Sequence, residues 1–130
     1  MPHNLNQKYR QAAQEFARRV TTALGDRVDS IVLYGSVARG EARRDSDIDI
    51  LVISPDPPRI RGALSEIRSG FAYEHNYAFF LSLLLYSREE LCNLQRVRSP
   101  FLLNVTKDGM ILYDNGIFSR VRTDGITASR

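Results

Sequence analysis

The segment LYGSVARGEARRDSDIDILVI, residues 33–53, constrains this chain more than any other part of its sequence. An apolar run ends at Gly35, a charged loop follows, and a second apolar run contains Asp47 and Asp49. Side chains two residues apart on a β-strand leave the same face, so a strand here holds two carboxylates side by side. Two ionised carboxylates repel each other unless a cation lies between them, and Mg²⁺ prefers carboxylate and phosphate oxygens as ligands. We therefore predict a magnesium site at Asp47 and Asp49.

The Gly35-Ser36 step is suited to binding phosphate. Glycine lets the backbone approach a ligand closely, and the first amides of a following helical turn have no acceptor within the helix. The Ser36 hydroxyl and the Arg39 guanidinium would add donors to phosphate oxygens. A simple tight turn would explain Gly35-Ser36 alone, and an exposed edge strand would explain the two aspartates alone. Together, the two features favour a site for a magnesium-bound nucleoside triphosphate.

Hydrophobic periodicity and turn residues divide the chain into short helices and strands. Residues 78–87, AFFLSLLLYS, are too apolar for an exposed strand and predict a central one. Ser87 and Glu90 have the spacing of a capping box, which starts a short helix expected to bury Cys92. This order of elements is compatible with a small α/β or α+β domain around a mixed β-sheet, and we predict the α+β class, with helices flanking the sheet: helix 4–24, strands 28–34 and 48–53, helix 58–73, strand 78–87, helices 88–95 and 100–108, and edge strand 110–113.

Length and composition indicate one globular domain, with 130 residues, of which 43% are hydrophobic and 25% charged. We expect the domain to occupy residues 1–113 and the polar residues 114–130 to form a flexible C-terminal tail. No apolar run approaches the ~20 residues that span a bilayer, and the first residues lack the hydrophobic core of a secretory signal. These features predict a cytoplasmic protein without a membrane partner. No basic stripe with interleaved aromatic residues is present, so nucleic acid is expected only as an acceptor.

Residues 35–52, GSVARGEARRDSDIDILV, resemble the signature of the DNA polymerase beta-like nucleotidyltransferase superfamily. The form Gly-Ser-x-Ala-Arg-Gly-Glu-Ala, followed by Asp-Ser-Asp-Ile-Asp, is similar to that of its minimal nucleotidyltransferases. The resemblance implies a polymerase beta-like fold in which Gly35 and Ser36 bind the β- and γ-phosphates and Asp47 and Asp49 ligate one or two Mg²⁺ ions. It also implies a reaction in which an acceptor hydroxyl attacks the α-phosphorus of a nucleoside triphosphate, expected to be ATP, and pyrophosphate leaves.

One feature of this family is missing from the sequence. Its active enzymes usually carry a third carboxylate on a later strand, where this chain has Ser82. Glu74 is the nearest acid before that strand, but it is expected to face water near a helix end rather than to replace the missing carboxylate. The alternative to an active enzyme is therefore a nucleotide- or partner-binding module that keeps the fold and has little or no activity.

The same resemblance suggests a biological context. Minimal nucleotidyltransferases are often paired with HEPN-domain proteins, as the antitoxin of a toxin–antitoxin system. At 130 residues, the chain is expected to be too short to include the helical domain with which larger relatives of this family shape the acceptor pocket. We therefore expect a HEPN-domain partner, or a second copy of the chain, to supply the acceptor or its pocket.

Overall fold

The computed structural model describes residues 2–121, with side chains from residue 5 onward. Within this part of the chain, no helix is both long enough and apolar enough to cross a bilayer. A short 3₁₀ turn, Gly25–Arg27, separates the first helix from the first strand. The remaining elements are α1 (Pro2–Leu24), β1 (Ser30–Tyr34), α2 (Gly35–Ala38), β2 (Asp47–Ser54), α3 (Pro57–Glu74), β3 (Phe80–Ser87), α4 (Arg88–Arg96), α5 (Pro100–Asp108) and β4 (Met110–Asp114).

The four strands form one mixed sheet in the order β3-β2-β1-β4. Strand β1 is antiparallel to both β2, which follows it after α2 and a loop, and β4, which follows α5. Strand β3 is parallel to β2, since the chain crosses over through α3 between them. A small mixed sheet flanked by helices is the predicted fold class, which is thereby confirmed.

Helices α1 and α3 cover one face of the sheet. The contact is apolar and includes a T-shaped pair, Phe16 of α1 and Phe71 of α3, with ring centroids 5.8 Å apart. The β-strand side chains in this layer alternate along each strand, as the pleat requires. They are Ile31 and Leu33 of β1, Ile48, Ile50 and Val52 of β2, and Leu81, Leu83 and Leu85 of β3.

Helices α4 and α5 pack against the opposite face. Val32 of β1 and Leu51 and Ile53 of β2 meet Leu91 and Leu102 there in a second apolar cluster. Because Asp47 and Asp49 have the same parity as Leu51 and Ile53, they project from this second face. The two aspartate side chains at the start of β2 therefore lie on the side of the sheet away from α1 and α3.

Strand β3 lies at the edge of the sheet, so the prediction of a central strand is wrong. Its apolar run has another cause. Leu83 and Leu85 contact the layer of α1 and α3, and Leu84 and Tyr86 contact the layer of α4 and α5. Helices on both faces thus require apolar residues on both sides of the strand, even though β2 is the only strand that pairs with it among the described residues.

The capping box at the start of α4 is present as predicted. Ser87 Oγ accepts a hydrogen bond from the Glu90 amide at 3.0 Å, and Glu90 Oε1 accepts one from the Ser87 amide at 2.9 Å. Cys92, in contrast, is exposed, so the prediction of a buried cysteine is wrong. Leu91 fills the core position of this turn, and its neighbour lies about 100° further around the helix.

The domain extends past the predicted boundary at residue 113. Residues 117–121 form a helical turn in which Phe118 is fully buried in the second apolar cluster. The Asp114 carboxylate holds this turn by accepting hydrogen bonds from the Phe118 amide at 3.1 Å and from Ser30 Oγ at 2.6 Å. Residues 114–121 are therefore packed against the domain and do not form the predicted flexible tail. The sequence does not reveal this turn, because one turn is too short to show a helical period. Residues 122–130 of that predicted tail lie outside the described residues.

Candidate active site

The bend after β1 requires glycine. Gly35 has a φ of +78°, a conformation that costs non-glycine residues energy. A Cβ atom at Gly35 would lie 3.2 Å from Cγ of Asp49 and closer still to its Oδ2. The space that a side chain would need is thus occupied by a carboxylate. The predicted phosphate-binding bend and one of the predicted metal ligands are in direct contact.

Asp47 and Asp49 lie on the same face of β2, as the sequence predicts. Burial raises the pKa of Asp49, and the negative charge of Asp47 raises it further, while Arg39 opposes both effects. The two carboxylates are therefore close enough to repel each other. A cation between them would relieve this repulsion.

The strand register places other side chains beside the two aspartates. Asp49 is the partner of Tyr34 on β1 and of Ser82 on β3, so these three residues form a row across the sheet. Asp47 is the partner of Phe80, whose side chain is largely exposed. Ser82 thus occupies the position beside Asp49 at which a carboxylate on β3 would complete a three-acid site.

Glu74 does not supply the missing acid. It is the last residue of α3 and forms an ion pair with Arg19 of α1, in the layer that covers the first face. Asp47 and Asp49 project from the second face. Within residues 2–121, no cluster of three or more histidine, cysteine, aspartate or glutamate side chains could hold a metal ion.

Two carboxylates nevertheless match one role of Mg²⁺. This ion is usually bound by one or two carboxylates, with substrate phosphates and waters completing its octahedral shell. The pair at Asp47 and Asp49, beside a bend that admits close approach to backbone, provides hard oxygen ligands of this kind. The residues present fit a magnesium ion that arrives with a phosphate ligand better than an ion bound by protein alone.

Arg39 lies at the C-terminal end of α2 and is exposed. Its Nε donates a hydrogen bond to Glu41 Oε1 at 2.9 Å. Its charge opposes the upward shift in the pKa of Asp49, so the guanidinium lies near the carboxylates. Because a guanidinium has five N–H donors, the ion pair with Glu41 leaves donors for a phosphate oxygen.

Tyr34 is part of the site, although the sequence pattern assigns it no chemistry. Its ring makes a T-shaped contact with Phe101 of α5, with centroids 5.3 Å apart. Burial, followed by the charge of Asp49 and the neighbouring Tyr86, raises the pKa of Tyr34 to about 12. The phenol therefore remains protonated at neutral pH and can donate a hydrogen bond beside Asp49.

Helix α1 contacts the loop between the bend and β2, which the sequence analysis also missed. Asn6 and Arg10 make four hydrogen bonds to backbone atoms of residues 37–42. The sequence carries no signal for these contacts, because polar residues four apart on a helix are typical of any solvated face.

Comparisons with known proteins agree with this geometry. The family model of the nucleotidyltransferase domain matches residues 10–113. A candidate protein adenylyltransferase of Methanocaldococcus jannaschii, MJ1305, is 32% identical over 108 residues, which are 80% of this chain and 71% of that protein. A second one from the same organism, MJ0141, is 29% identical over 75 residues, 58% of this chain and 76% of that protein. The crystal structure of a toxin–antitoxin with AMP-PNP is similar in fold, with a TM-score of 0.55 at 19% identity, covering 89% of this chain and 86% of the other.

Proposed function

Because this chain belongs to the nucleotidyltransferase domain family, as residues 33–53 predict, we propose that it transfers a nucleoside monophosphate from a magnesium-bound nucleoside triphosphate to a hydroxyl acceptor. ATP is the expected donor. The similar proteins of Methanocaldococcus jannaschii are named as adenylyltransferases, and AMP-PNP, which accompanies the similar toxin–antitoxin, is an analogue of ATP. The protein-directed activity in those names favours a protein hydroxyl as the acceptor.

The contact between Gly35 and Asp49 carries this proposal. A backbone bend that can bind phosphate and a carboxylate that can bind a phosphate-bound cation need to lie within one ligand's length of each other. Here they are in van der Waals contact, and glycine is the one residue type that fits. A tight turn and an edge strand that were merely adjacent would not require this contact.

The residues of the site have separate roles in the proposed reaction. Gly35 and Ser36 bind the β- and γ-phosphates, Arg39 contacts a phosphate oxygen, and Asp47 and Asp49 hold the metal. Bound Mg²⁺ would neutralise triphosphate charge and orient the α-phosphate. The acceptor oxygen forms a bond to the α-phosphorus as the bond from that phosphorus to the bridging oxygen breaks. Pyrophosphate leaves, and the acceptor proton passes to solvent, because no third carboxylate joins Asp47 and Asp49 within residues 2–121 to take it.

Ser82 supports a second candidate, a nucleotide- or partner-binding module with little or no transferase activity. Ser82 lies beside Asp49 in the strand register, where an acid would serve as a base and additional metal ligand. A serine hydroxyl is a poor base and a weak metal ligand. This alternative keeps the binding of magnesium and triphosphate and loses the transfer step.

The expected partner is a HEPN-domain toxin, with this chain as its antitoxin. The similarity to a solved toxin–antitoxin supports that context, and a protein hydroxyl on the toxin would then be the acceptor. A second copy of this chain is the alternative source of an acceptor pocket. Mixing the purified protein with a candidate helical partner and measuring the mass of the complex and of each chain tests the pairing and the modification together.

The transfer itself is tested with ATP labelled at the α-phosphate. The purified chain, Mg²⁺ and a candidate partner should yield labelled protein, and Asp47→Asn and Asp49→Asn should each abolish the label. Asp45→Asn is the matched control, since Asp45 is an exposed acid of the same segment that lies outside β2. Label that survives Asp49→Asn would contradict the proposed site.

The same experiment separates the two candidate functions. Magnesium-dependent nucleotide binding without label transfer to any partner favours the binding module. Replacing Ser82 with aspartate should then raise transfer if the missing carboxylate limits the chemistry. If neither the wild-type protein nor Ser82→Asp transfers label, the enzyme proposal fails. A measurement of magnesium-dependent nucleotide binding then decides whether the chain is a binding module.

A further inference from the structure

Helix α1 bonds to the loop that connects the phosphate-binding bend to β2. Arg10 donates from Nε to the carbonyl of Val37 at 3.1 Å and from Nη2 to the carbonyl of Ala38 at 2.8 Å. Asn6, one turn earlier, donates from Nδ2 to the carbonyl of Gly40 at 2.7 Å. Its Oδ1 accepts from the Ala42 amide, also at 2.7 Å. Both side chains therefore bond exclusively to backbone in these four contacts.

The targets of Arg10 are the last two carbonyls of α2, of which that of Val37 also accepts a hydrogen bond from the Gly40 amide at 3.2 Å. Helix α2 has only four residues, Gly35–Ala38, and a helix of that length is not stable by itself. The last carbonyls of any helix lack intrahelical donors, and a cation near them is favourable. Arg10 bonds to two of these carbonyls at once. It thereby supplies hydrogen bonds that hold the turn carrying Gly35 and Ser36.

The rest of the loop also depends on the same turn of α1. The Tyr9 hydroxyl accepts a hydrogen bond from the Asp45 amide at 3.3 Å, just before β2 begins. Asp45 has a φ of +70°, a backbone conformation that a non-glycine residue in a free loop populates sparsely. Contacts from α1 are thus spread from the end of α2 to the start of β2. They bracket the segment that connects Gly35 with Asp47.

We propose that Asn6 and Arg10 are positioning residues of the transferase site. They fix the loop so that the Gly35-Ser36 bend stays against Asp49, and they act on bound triphosphate through that bend. The inference rests on the proposed function, because the consequence it predicts is for nucleotide binding and turnover. A displacement of about 1 Å in reacting groups can cost about 100-fold in rate, so loss of these contacts should affect chemistry more than folding.

Kinetics of the full chain with its acceptor test this role. Arg10→Ala should lower kcat/KM for magnesium–ATP about tenfold or more, while Arg18→Ala should leave it unchanged. Arg18 is an exposed arginine two turns further along α1 and so controls for the loss of charge and of helix surface. Arg10→Lys should restore part of the activity, because an ammonium can reach one of the two carbonyls. Asn6→Ala should act in the same direction as Arg10→Ala.

Hydrogen exchange measures the loop without any need for turnover. In Arg10→Ala, the amides of residues 36–42 should exchange at least several-fold faster, while those of β1 and β2 remain as protected as in wild type. Unchanged exchange in residues 36–42, or equal acceleration in Arg18→Ala, would overturn the proposal. If the wild-type chain neither transfers nor binds nucleotide, the proposed function fails. The exchange result still decides whether α1 holds the loop.

Discussion

At the scale of single residues, Gly35 and Asp49 depend on each other. The backbone of Gly35 is in a left-handed conformation, and the Asp49 carboxylate fills the space where a side chain would project. The spacing of the glycine and the two aspartates is visible in the sequence, and so is the shared face of Asp47 and Asp49. The contact between the bend and Asp49 could not be predicted, because it depends on the pairing of Tyr34 with Asp49 across two strands.

Gly35→Ala should lower the free energy of unfolding by about 2 kcal/mol or more, through the positive φ and the overlap with Asp49. Gly70→Ala is the control, since a Cβ at Gly70 in α3 meets no atom within 4 Å and alanine favours a helix. Urea denaturation should therefore give opposite signs for the two variants. In an Asp49→Ala background, the cost of Gly35→Ala should fall to about 1 kcal/mol, because only the backbone term remains. An unchanged cost in that background would contradict the contact.

Asp49→Asn should stabilise the metal-free protein at neutral pH. The folded-state pKa of Asp49 is raised by burial and by Asp47, so the folded state disfavours the charged form and loses stability as pH rises through that pKa. Removing the charge should raise Tm by about 2–5 °C at pH 7 in EDTA, with the gain disappearing below about pH 4. Thermal denaturation at the two pH values checks this, and a lower Tm at pH 7 would be the contrary result.

At the scale of secondary-structure elements, the sequence pattern predicts the type and order of the helices and strands but not the position of each strand in the sheet. Periodicity predicts the helices and strands, and the capping box marks the start of α4. The apolar sequence of β3 reflects helical layers on both of its faces, although Leu81 is its one buried residue, and the same pattern cannot tell a central strand from an edge strand between two helical layers. Several elements meet at Asp29, which is fully buried just before β1.

Asp29 connects β1 to α4 and to the segment after β4. Arg88, at the start of α4, donates from Nε to Asp29 Oδ2 at 2.7 Å and from Nη2 to Asp29 Oδ1 at 2.8 Å. Asn115 Nδ2 also donates to Asp29 Oδ1, at 2.8 Å. Burial would raise the pKa of Asp29, but these hydrogen bonds outweigh it and the pKa is lowered. The stabilisation is therefore present above the unfolded-state pKa and is lost as pH falls through the folded-state value.

Arg88→Ala should lower the free energy of unfolding at pH 7 by about 2 kcal/mol, because it leaves a buried carboxylate without its cation. Arg96→Ala, an exposed arginine on the same helix, should change it by less than about 0.5 kcal/mol. Denaturant titrations at pH 7 and at pH 3 should show the difference between Arg88→Ala and wild type shrinking in acid. A difference that is equal at both pH values would exclude the ionic part of this explanation.

At the scale of the whole molecule, the domain ends later than the sequence suggests. The turn at residues 117–121 closes the second apolar cluster beneath α4 and α5, and Asp114 caps it. Three apolar positions in a polar segment are too few to reveal a helix, so only the packing identifies this turn as part of the core. The position of Glu74 likewise depends on the whole fold, because the sheet separates it from Asp47 and Asp49.

Phe118→Ala should cost about 3–4 kcal/mol of stability, as expected for a fully buried phenylalanine. Leu103→Ala is the control, since Leu103 is half-exposed on α5 and should cost well under 1 kcal/mol. Urea denaturation of the full chain gives both values. A cost below about 1 kcal/mol for Phe118→Ala would mean that residues 114–121 are dispensable for the domain.

Isothermal titration calorimetry of ATP binding, with and without Mg²⁺, tests the proposed site most directly. In that site, the bend at Gly35 and the carboxylates of Asp47 and Asp49 together bind one magnesium-bound triphosphate. Binding should require Mg²⁺, be lost in Asp49→Asn and in Gly35→Ala, and persist in Asp45→Asn. Binding that is equally strong in EDTA, or that survives Asp49→Asn unchanged, would contradict the site itself.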